Sequence, residues 1–349
     1  MLVFWGSLAA SEVVIDPEAK PKKVLSDYGF FKVGGISPLE PSDRVIPYDL
    51  NTALFSDYAS KHRHIWIPEG TIALYKENDV FEFPLGSVII KSFGYYHDLR
   101  DHSAGETIME TRLLVNTAKG WKGYPYVWNA EQTEATLKVA GTTMDMEWIH
   151  MDGKKRSTNY IIPNMNQCKS CHEQSGKLEP LGPRARNLNK TYPYPGGEEN
   201  QISLLSRIGY LSGAPDPKDI PRVPKWDDPT SGSVEERARG WLDVNCMHCH
   251  NPNGAGDTTG LDLSYHQRNP RQWGVMKAPV AAGRGAGDFL FDIVPGNPDE
   301  SILVYRIEST DPGVMMPELP RRLVDEEGVA LIREWITQME MPAEGITQD

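Results

Sequence analysis

All four cysteines of this 349-residue chain lie in two short strings of the form Cys-x-x-Cys-His. The first is Cys168-Lys169-Ser170-Cys171-His172, and the second is Cys246-Met247-His248-Cys249-His250. Two cysteines three residues apart on a helical turn present their sulfurs on one side. Each sulfur can then form a thioether with one of two neighbouring vinyl groups of a haem, and the histidine that follows lies under the iron. The string is the sequence signature of c-type haem attachment.

The spacing of the cysteines disfavours the other common uses of Cys-x-x-Cys. A zinc site usually joins two such pairs about 12–20 residues apart, whereas Cys171 and Cys246 are much farther apart. A thioredoxin-like redox motif needs a strand–helix–strand setting, which neither string has. We therefore predict two covalently bound c-type haems. The predicted haem-binding residues are Cys168, Cys171 and His172 for the first, and Cys246, Cys249 and His250 for the second.

A loop downstream of His250 supplies a candidate ligand for the opposite face of the second haem. Residues 313–320 contain Met315, Met316 and two prolines, and they separate two predicted helices. Pro317 restricts the residue before it to an extended conformation, which presents the Met316 side chain to the iron. A methionine ligand raises the reduction potential of such a haem. We predict Met316 as the sixth ligand of the second haem iron, with Met315 as the competing candidate.

The sixth ligand of the first haem is left open by the sequence. No Met or His lies between His172 and Asn245, so the local segment cannot supply the usual ligand. Either another region reaches over, or the iron has an open or water-bound face. The candidates from other regions are Met144, Met146, His150, Met151, His266 and Met276.

Three further polar residues lie in or near the strings. Arg184 and Arg186 follow the first string. Arginine makes bidentate contacts with carboxylates, so these two either pair with haem propionates or are solvated loop residues. His248 lies between the two cysteines of its string and is expected to point away from its own haem. No role is assigned to it.

Four regions follow one another along the chain. Residues 1–23 include a short apolar run, Leu2 to Ala10, with a small-x-small pattern, and we interpret them as a signal-peptide remnant and leader. Residues 24–162 are predicted to be β-rich, because β-branched and aromatic runs alternate with turn-forming residues. Residues 163–229 hold the first string and a proline-rich linker. Residues 230–349 are predicted to be helical with loops.

Several helix boundaries are visible in the last two regions. A helix is predicted at about residues 200–211. Ser233 and Glu236 form a capping box, and the helix after them runs into the second string. Two more helices are predicted, one over about residues 298–308 and one beginning near Asp325, where apolar residues recur at helical spacing.

The last region resembles a class I cytochrome c domain. The resemblance is carried by the helix that leads into the second string, the segment 295–303, the Met316-Pro317 loop and the closing helix at 331–336. It implies an all-α domain whose haem iron is held by histidine and methionine.

The rest of the chain is similar to a little-characterised family of bacterial di-haem cytochromes with a β-rich N-terminal domain. The segments that carry this similarity are 110–115, 126–129, 160–163 and 181–189. The family implies haem binding and electron transfer. The expected fold is therefore multidomain α+β: a β-rich N-terminal domain, a small haem segment and an all-α class I cytochrome c-like domain.

The net charge, the apolar stretches and the haem-attachment strings limit which partners and which cellular location are expected. The formal net charge is −12, so the chain is not expected to bind nucleic acid. The expected partners are redox proteins with basic docking surfaces. No apolar stretch approaches the roughly 20 residues of a membrane helix, so no integral membrane span is expected. Haem attachment of this kind takes place outside the bacterial cytoplasm, which predicts a periplasmic or secreted protein.

Three functions compete at this point. The first is a carrier of single electrons between redox partners. The second is a di-haem peroxidase or oxidase-type enzyme, in which an open first haem does the chemistry and the second haem delivers electrons. The third assigns the β-rich region to binding a sugar, a quinone or a protein partner.

Overall fold

The computed structural model describes residues 12–35, 37–280, 283–318 and 321–341. The apolar run of the predicted leader, Leu2 to Ala10, lies outside these residues. The strands within the described ranges are β1 (Ile46–Tyr48), β2 (Ser60–Trp66), β3 (Ala73–Leu74), β4 (Val88–Tyr96), β5 (Glu106–Thr117), β6 (Gly120–Trp128), β7 (Ala135–Leu137), β8 (Thr142–Ile149), β9 (Lys155–Ile162), β10 (Glu173–Gln174), β11 (Lys177–Leu178), β12 (Thr191–Tyr194), β13 (Gly197–Asn200) and β14 (Leu211–Ser212). The α-helices there are α1 (Lys169–His172), α2 (Ala185–Leu188), α3 (Gln201–Arg207), α4 (Val234–Asn245), α5 (Pro270–Trp273), α6 (Ile302–Glu308) and α7 (Glu326–Gln338).

A six-stranded antiparallel sheet forms the centre of the N-terminal half. Its strand order is β1-β2-β4-β5-β6-β7, and the hairpin of β8 and β9 packs beside β4. The β-branched and aromatic runs of the sequence become β2, β4, β5, β6 and β8, as their composition favours. The prediction of a β-rich N-terminal part is confirmed.

The two faces of the sheet carry different buried clusters because successive side chains of a strand alternate between faces. On one face, Trp66 and Ile90 pack against the segment from Leu25 to Val45. On the other face, Ile65 and Ile89 pack against helices α2 and α3. The segment after the first string therefore lies on the sheet and shares its core.

The prediction of an all-α class I cytochrome c-like domain is wrong. Individual helices do form near their predicted places: the capping box of Ser233 and Glu236 starts α4, a 3₁₀ turn leads into α6, and Asp325 caps α7. They do not add up to a helical domain. Among the described residues between the end of α4 and the start of α6, the only α-helix is the four-residue α5.

The reason is the composition of that stretch. Glycine and proline recur through residues 251–300, and both residues disfavour a helix interior. Short 3₁₀ turns and single parallel bridges, Val275 to Ile293 and Phe291 to Ser301, organise the chain there instead. The same effect shortens α3, which begins near its predicted start, after an Asn200 cap, but ends at Arg207.

Buried polar contacts fasten the C-terminal region to the sheet half. The Asp57 carboxylate, 1 % exposed, accepts hydrogen bonds from the backbone N–H groups of Arg322 and Leu323. Arg186 and Asp243, both buried, form a bidentate ion pair with a closest N–O distance of 2.7 Å that joins α2 to α4. Within the described ranges, no helix has the length and apolar character that a membrane crossing requires.

Candidate functional site

The first string lies against the sheet. Cys168 is the N-cap residue of α1, and Cys171 and His172 belong to that one-turn helix. A Cβ atom at Gly123 of β6 would lie 3.0 Å from the Cys168 sulfur, so the absence of a side chain at Gly123 leaves room for this cysteine. Cys168, Cys171 and His172 line one cavity between the sheet and α4.

His172 is held in the state that a metal ligand requires. Its Nδ1–H donates a hydrogen bond to the backbone carbonyl of Glu179, at 2.7 Å. Burial is the largest cause that lowers the pKa of His172 to about 4, and the charges of Lys91 and Arg112 lower it further. The imidazole is therefore neutral at pH 7, and the lone pair is at Nε2. A backbone carbonyl that accepts the Nδ1–H is a usual way to fix the orientation of a ligating histidine.

The second string follows directly after α4. Cys246 is the C-cap residue of that helix, and the Asn245 side chain accepts a hydrogen bond from the Phe55 backbone N–H at 2.8 Å. Nδ1 of His250 lies 3.2 Å from the Thr259 hydroxyl. Burial, then the charges of Arg306 and Lys277, lower the pKa of His250 to about 4. This imidazole is also neutral at pH 7.

The two strings are in direct contact, although 79 positions separate Ser170 from Cys249. The Cys249 sulfur lies 3.5 Å from the Ser170 carbonyl oxygen. The Gln174 amide donates to the His248 carbonyl at 2.6 Å, and the Ser175 backbone N–H donates to the Asn253 carbonyl at 3.0 Å. We call this set of contacts the seam. It places the two predicted haem-binding strings side by side.

All four thiols are free, and burial disfavours the ionisation of each one. None of the cysteines forms a disulfide. Burial is the first cause that raises the pKa of each thiol, to about 12 for Cys246 and Cys249. These sites suit an uncharged sulfur, which a thioether is. Among the described residues, no group of three or more His, Cys, Asp or Glu side chains is arranged to hold a metal ion; a haem iron takes only axial ligands from a protein.

Met316 lies close to the strings but not in one cavity with His250. Its backbone N–H donates to the Arg306 carbonyl at 3.0 Å, and Arg306 is also a charge that acts on His250. Its side chain lines a second cavity, whose other members include Cys171, His248 and Trp241. Met315 is buried at 7 % exposure and lines neither cavity. Met316 therefore lines a cavity beside the first string, Met315 lines neither cavity, and neither methionine shares one of these cavities with His250.

A row of three basic side chains crosses the sheet under the first cavity. Arg63 of β2 is opposite Lys91 of β4, and Lys91 is opposite Arg112 of β5. Like charges directly opposite each other on a sheet destabilise it. Asp49 pairs with Arg63 at 3.1 Å, and Glu110 pairs with Arg112 at 2.5 Å. We call the three residues the basic row.

Lys91, in the middle of the basic row, forms no ion pair with a described residue. Its ammonium group lies over the Phe93 ring, 4.6 Å from the centroid, and burial drives its pKa well below the usual value. All three residues of the row line the first cavity. Because arginine and lysine bind carboxylates strongly, this wall of the cavity suits a ligand with acidic groups.

The earlier arginine candidates differ in their positions. Arg186 is fully engaged by Asp243 and is not available to a haem propionate. Arg184 lines the first cavity, and it also donates to the Asn78 carbonyl at 3.0 Å and lies 3.5 Å from the Asp79 carboxylate. The basic row, which the sequence analysis did not single out, is the larger group of cations at this site.

None of the six candidates named for the first haem's sixth ligand lines the cavity at His172. Met144, Met146 and Met276 pack in hydrophobic clusters, and Met151 and His266 are exposed. His150 is buried between Trp148, Tyr58 and Glu327. Two residues of the second string, Met247 and His248, line that cavity instead. No sequence signal indicated this, because it depends on how two distant segments meet.

The residue types of both strings suit a haem; of the two cavities described above, the first contains Cys168, Cys171 and His172, and neither contains Cys246, Cys249 or His250. Each string offers paired free thiols and a neutral imidazole, and the first faces a cavity with an apolar lining and a basic wall. Comparisons with known proteins add nothing to this inference: no protein-family model, curated protein or solved structure matches the chain.

Proposed function

We propose that this protein is a di-haem c-type cytochrome that transfers single electrons between redox partners. Cys168 and Cys171 would hold the first haem and Cys246 and Cys249 the second, with His172 and His250 as proximal ligands. The proposal extends to membership of the little-characterised di-haem family named above. Each haem iron, when bound, supplies reversible one-electron oxidation and reduction.

The seam is the observation that carries this proposal. Electron transfer between two haems requires them to be close, and the contact of the Cys249 sulfur with the Ser170 carbonyl, at 3.5 Å, brings the two attachment points together. A pair of unrelated zinc or disulfide sites would give no reason for this contact. Rapid exchange of an electron between the two haems is the function that such proximity serves.

The chain's own residues have separate tasks in this function. The Glu179 carbonyl fixes the tautomer of His172, and the Thr259 hydroxyl lies at the corresponding nitrogen of His250. Met316 would bind the second iron and raise its potential. Lys91, the member of the basic row without a carboxylate partner, would hold a propionate carboxylate of the first haem.

The setting of the protein follows from the same chemistry. Covalent haem attachment predicts a periplasmic or secreted location. The net charge of −12 favours partners with basic docking surfaces, because opposite charges steer encounter.

Mass spectrometry of the exported protein tests the proposal. We expect a mass increase of two haems, and a pyridine haemochrome spectrum typical of two thioether links per haem. The double variant Cys168→Ser/Cys171→Ser should lose one haem and keep the other, and Cys246→Ser/Cys249→Ser should do the converse. A wild-type chain with four free thiols and no haem would contradict the proposal.

A further inference from the structure

We propose that His248, a residue of the second string, is the sixth ligand of the first haem iron, opposite His172. The inference rests on the proposed haem binding and adds an iron ligand that the neighbouring string provides. It would make the first haem six-coordinate, with one histidine on each side.

The burial of His248 is the first observation. Its side chain is 4 % exposed, and Nδ1 is buried without any hydrogen-bond partner. Buried polar atoms are almost always paired, and an unpaired one calls for an explanation. An iron atom within reach of the ring would supply the missing partner.

The place of His248 is the second observation. It lines the cavity that also holds Cys168, Cys171 and His172. The Gln174 amide, two residues beyond His172, donates to the His248 backbone carbonyl at 2.6 Å. The seam therefore fixes His248 to the first string by its backbone and leaves its ring on the cavity.

The position of His248 within its own string agrees with this role. On the turn that carries Cys246 and Cys249, the residue before the second cysteine points away from the haem that those cysteines hold. In this fold, the first string lies beside His248, since the Gln174 amide donates to the His248 carbonyl and His248 lines the cavity of His172. One peptide unit would then link a ligand of the first iron to a thioether of the second haem.

Met247 is the competing residue, because it lines the same cavity and is 6 % exposed. A thioether needs no hydrogen bond and packs readily in an apolar core. The burial of Met247 is thus explained by packing alone, whereas the burial of Nδ1 of His248 without a hydrogen-bond partner is not. The structure favours His248.

The test uses the holoprotein, with both haems confirmed by mass. In the wild type we expect two low-spin ferric signals in electron paramagnetic resonance and no carbon monoxide binding at the first ferrous haem. In His248→Ala, one haem should become high-spin and bind carbon monoxide stoichiometrically, and free imidazole should restore the low-spin state. The Cys246→Ser/Cys249→Ser variant, which keeps only the first haem, identifies the signals that belong to it.

Met247→Leu is the matched control and should leave both spectra unchanged. His248→Met should keep the first haem six-coordinate and shift its reduction potential upward, which serves if His248→Ala fails to fold. Stoichiometric carbon monoxide binding to the wild-type first haem would overturn the proposal, as would a low-spin His248→Ala protein or loss of the ligand in Met247→Leu. A protein without haem would instead refute the proposed function.

Discussion

At the scale of single residues, one backbone carbonyl decides what His172 can do. By accepting the Nδ1–H, Glu179 leaves the lone pair at Nε2, and burial keeps the ring neutral. Neutral imidazole is the form that binds iron. The fold therefore holds the His172 ring neutral, with its free lone pair at Nε2.

Met316 gives a residue-scale prediction. In Met316→Ala holoprotein, the second haem should lose its methionine–iron charge-transfer band, and its reduction potential should fall by a fraction of the roughly 0.8 V range that axial ligands span. Absorption spectra and a redox titration measure both effects. Met315→Ala is the control and should retain the band. A band that survives in Met316→Ala but disappears in Met315→Ala would reverse the assignment.

His64 gives a second prediction, on pH. Burial lowers the pKa of this β2 histidine to about 3, while the unfolded chain binds a proton near pH 6.5. Below pH 6.5 the unfolded state therefore holds one proton more, and stability falls at about 1.4 kcal/mol per pH unit. When the pH falls from 7.5 to 5, the free energy of unfolding should decrease by about 2 kcal/mol less in His64→Phe than in the wild type.

Urea titrations at the two pH values measure this difference. Ile65→Val, which changes a neighbouring buried residue of β2 without removing a titratable group, is the control and should follow the wild-type pH dependence. Equal losses in His64→Phe and the wild type would show that the folded protein protonates His64 normally.

The part of the site that the sequence could predict is the cysteines and histidines of the two strings, because their spacing is fixed. Thioether formation and iron ligation require cysteine and histidine at set positions, so the two strings are visible without a structure. His248 and the basic row were not, because Arg63, Lys91 and Arg112 meet only through strand register. Nothing in the sequence around each of these three residues indicates that the other two are its neighbours.

At the scale of elements, the crossing of α4 and α7 depends on Gly328. A Cβ atom there would lie 2.4 Å from Nε1 of Trp241 and 2.5 Å from a carboxylate oxygen of Asp325. Those two groups hydrogen-bond to each other at 2.9 Å. A side chain at Gly328 must therefore separate the helices or break this bond.

Gly328→Ala should accordingly destabilise the protein by about 1–3 kcal/mol, the usual cost of overpacking. The sign is informative, because in an open helix interior the same change would stabilise by up to about 1 kcal/mol. Thermal or denaturant unfolding measures it. Gly196→Ala, where no atom lies within 4 Å, is the control and should change stability little. A stabilised Gly328→Ala protein would show that the helices do not cross this closely.

Strands and caps were predictable at this scale, whereas the C-terminal architecture was not. The capping box of Ser233 and Glu236 and the cap at Asp325 are local signals, and the structure has both. The expectation of an all-α domain came from resemblance over a few motifs. It overlooked the Gly- and Pro-rich stretch before α6, where local conformational preferences favour turns.

At the scale of the whole molecule, the net charge of −12 should affect how fast the protein reacts with charged redox partners. Reduced holoprotein should be oxidised by a cationic cobalt complex at a rate that falls as salt rises, and by ferricyanide at a rate that rises, because salt screens attraction and repulsion alike. Stopped-flow kinetics at about 10 mM and 500 mM salt, where the screening length differs several-fold, measure both. Rates independent of salt for both oxidants would show that the reactive haem edge does not experience the acidic surface.

The seam also bears on how such a protein is made. A haem added after folding would have to part the contacts between Gln174 and His248 and between Ser175 and Asn253. On the proposed function, haem attachment would therefore have to come first, while the chain is still open. The order of attachment and folding would then decide how much of the chain becomes holoprotein.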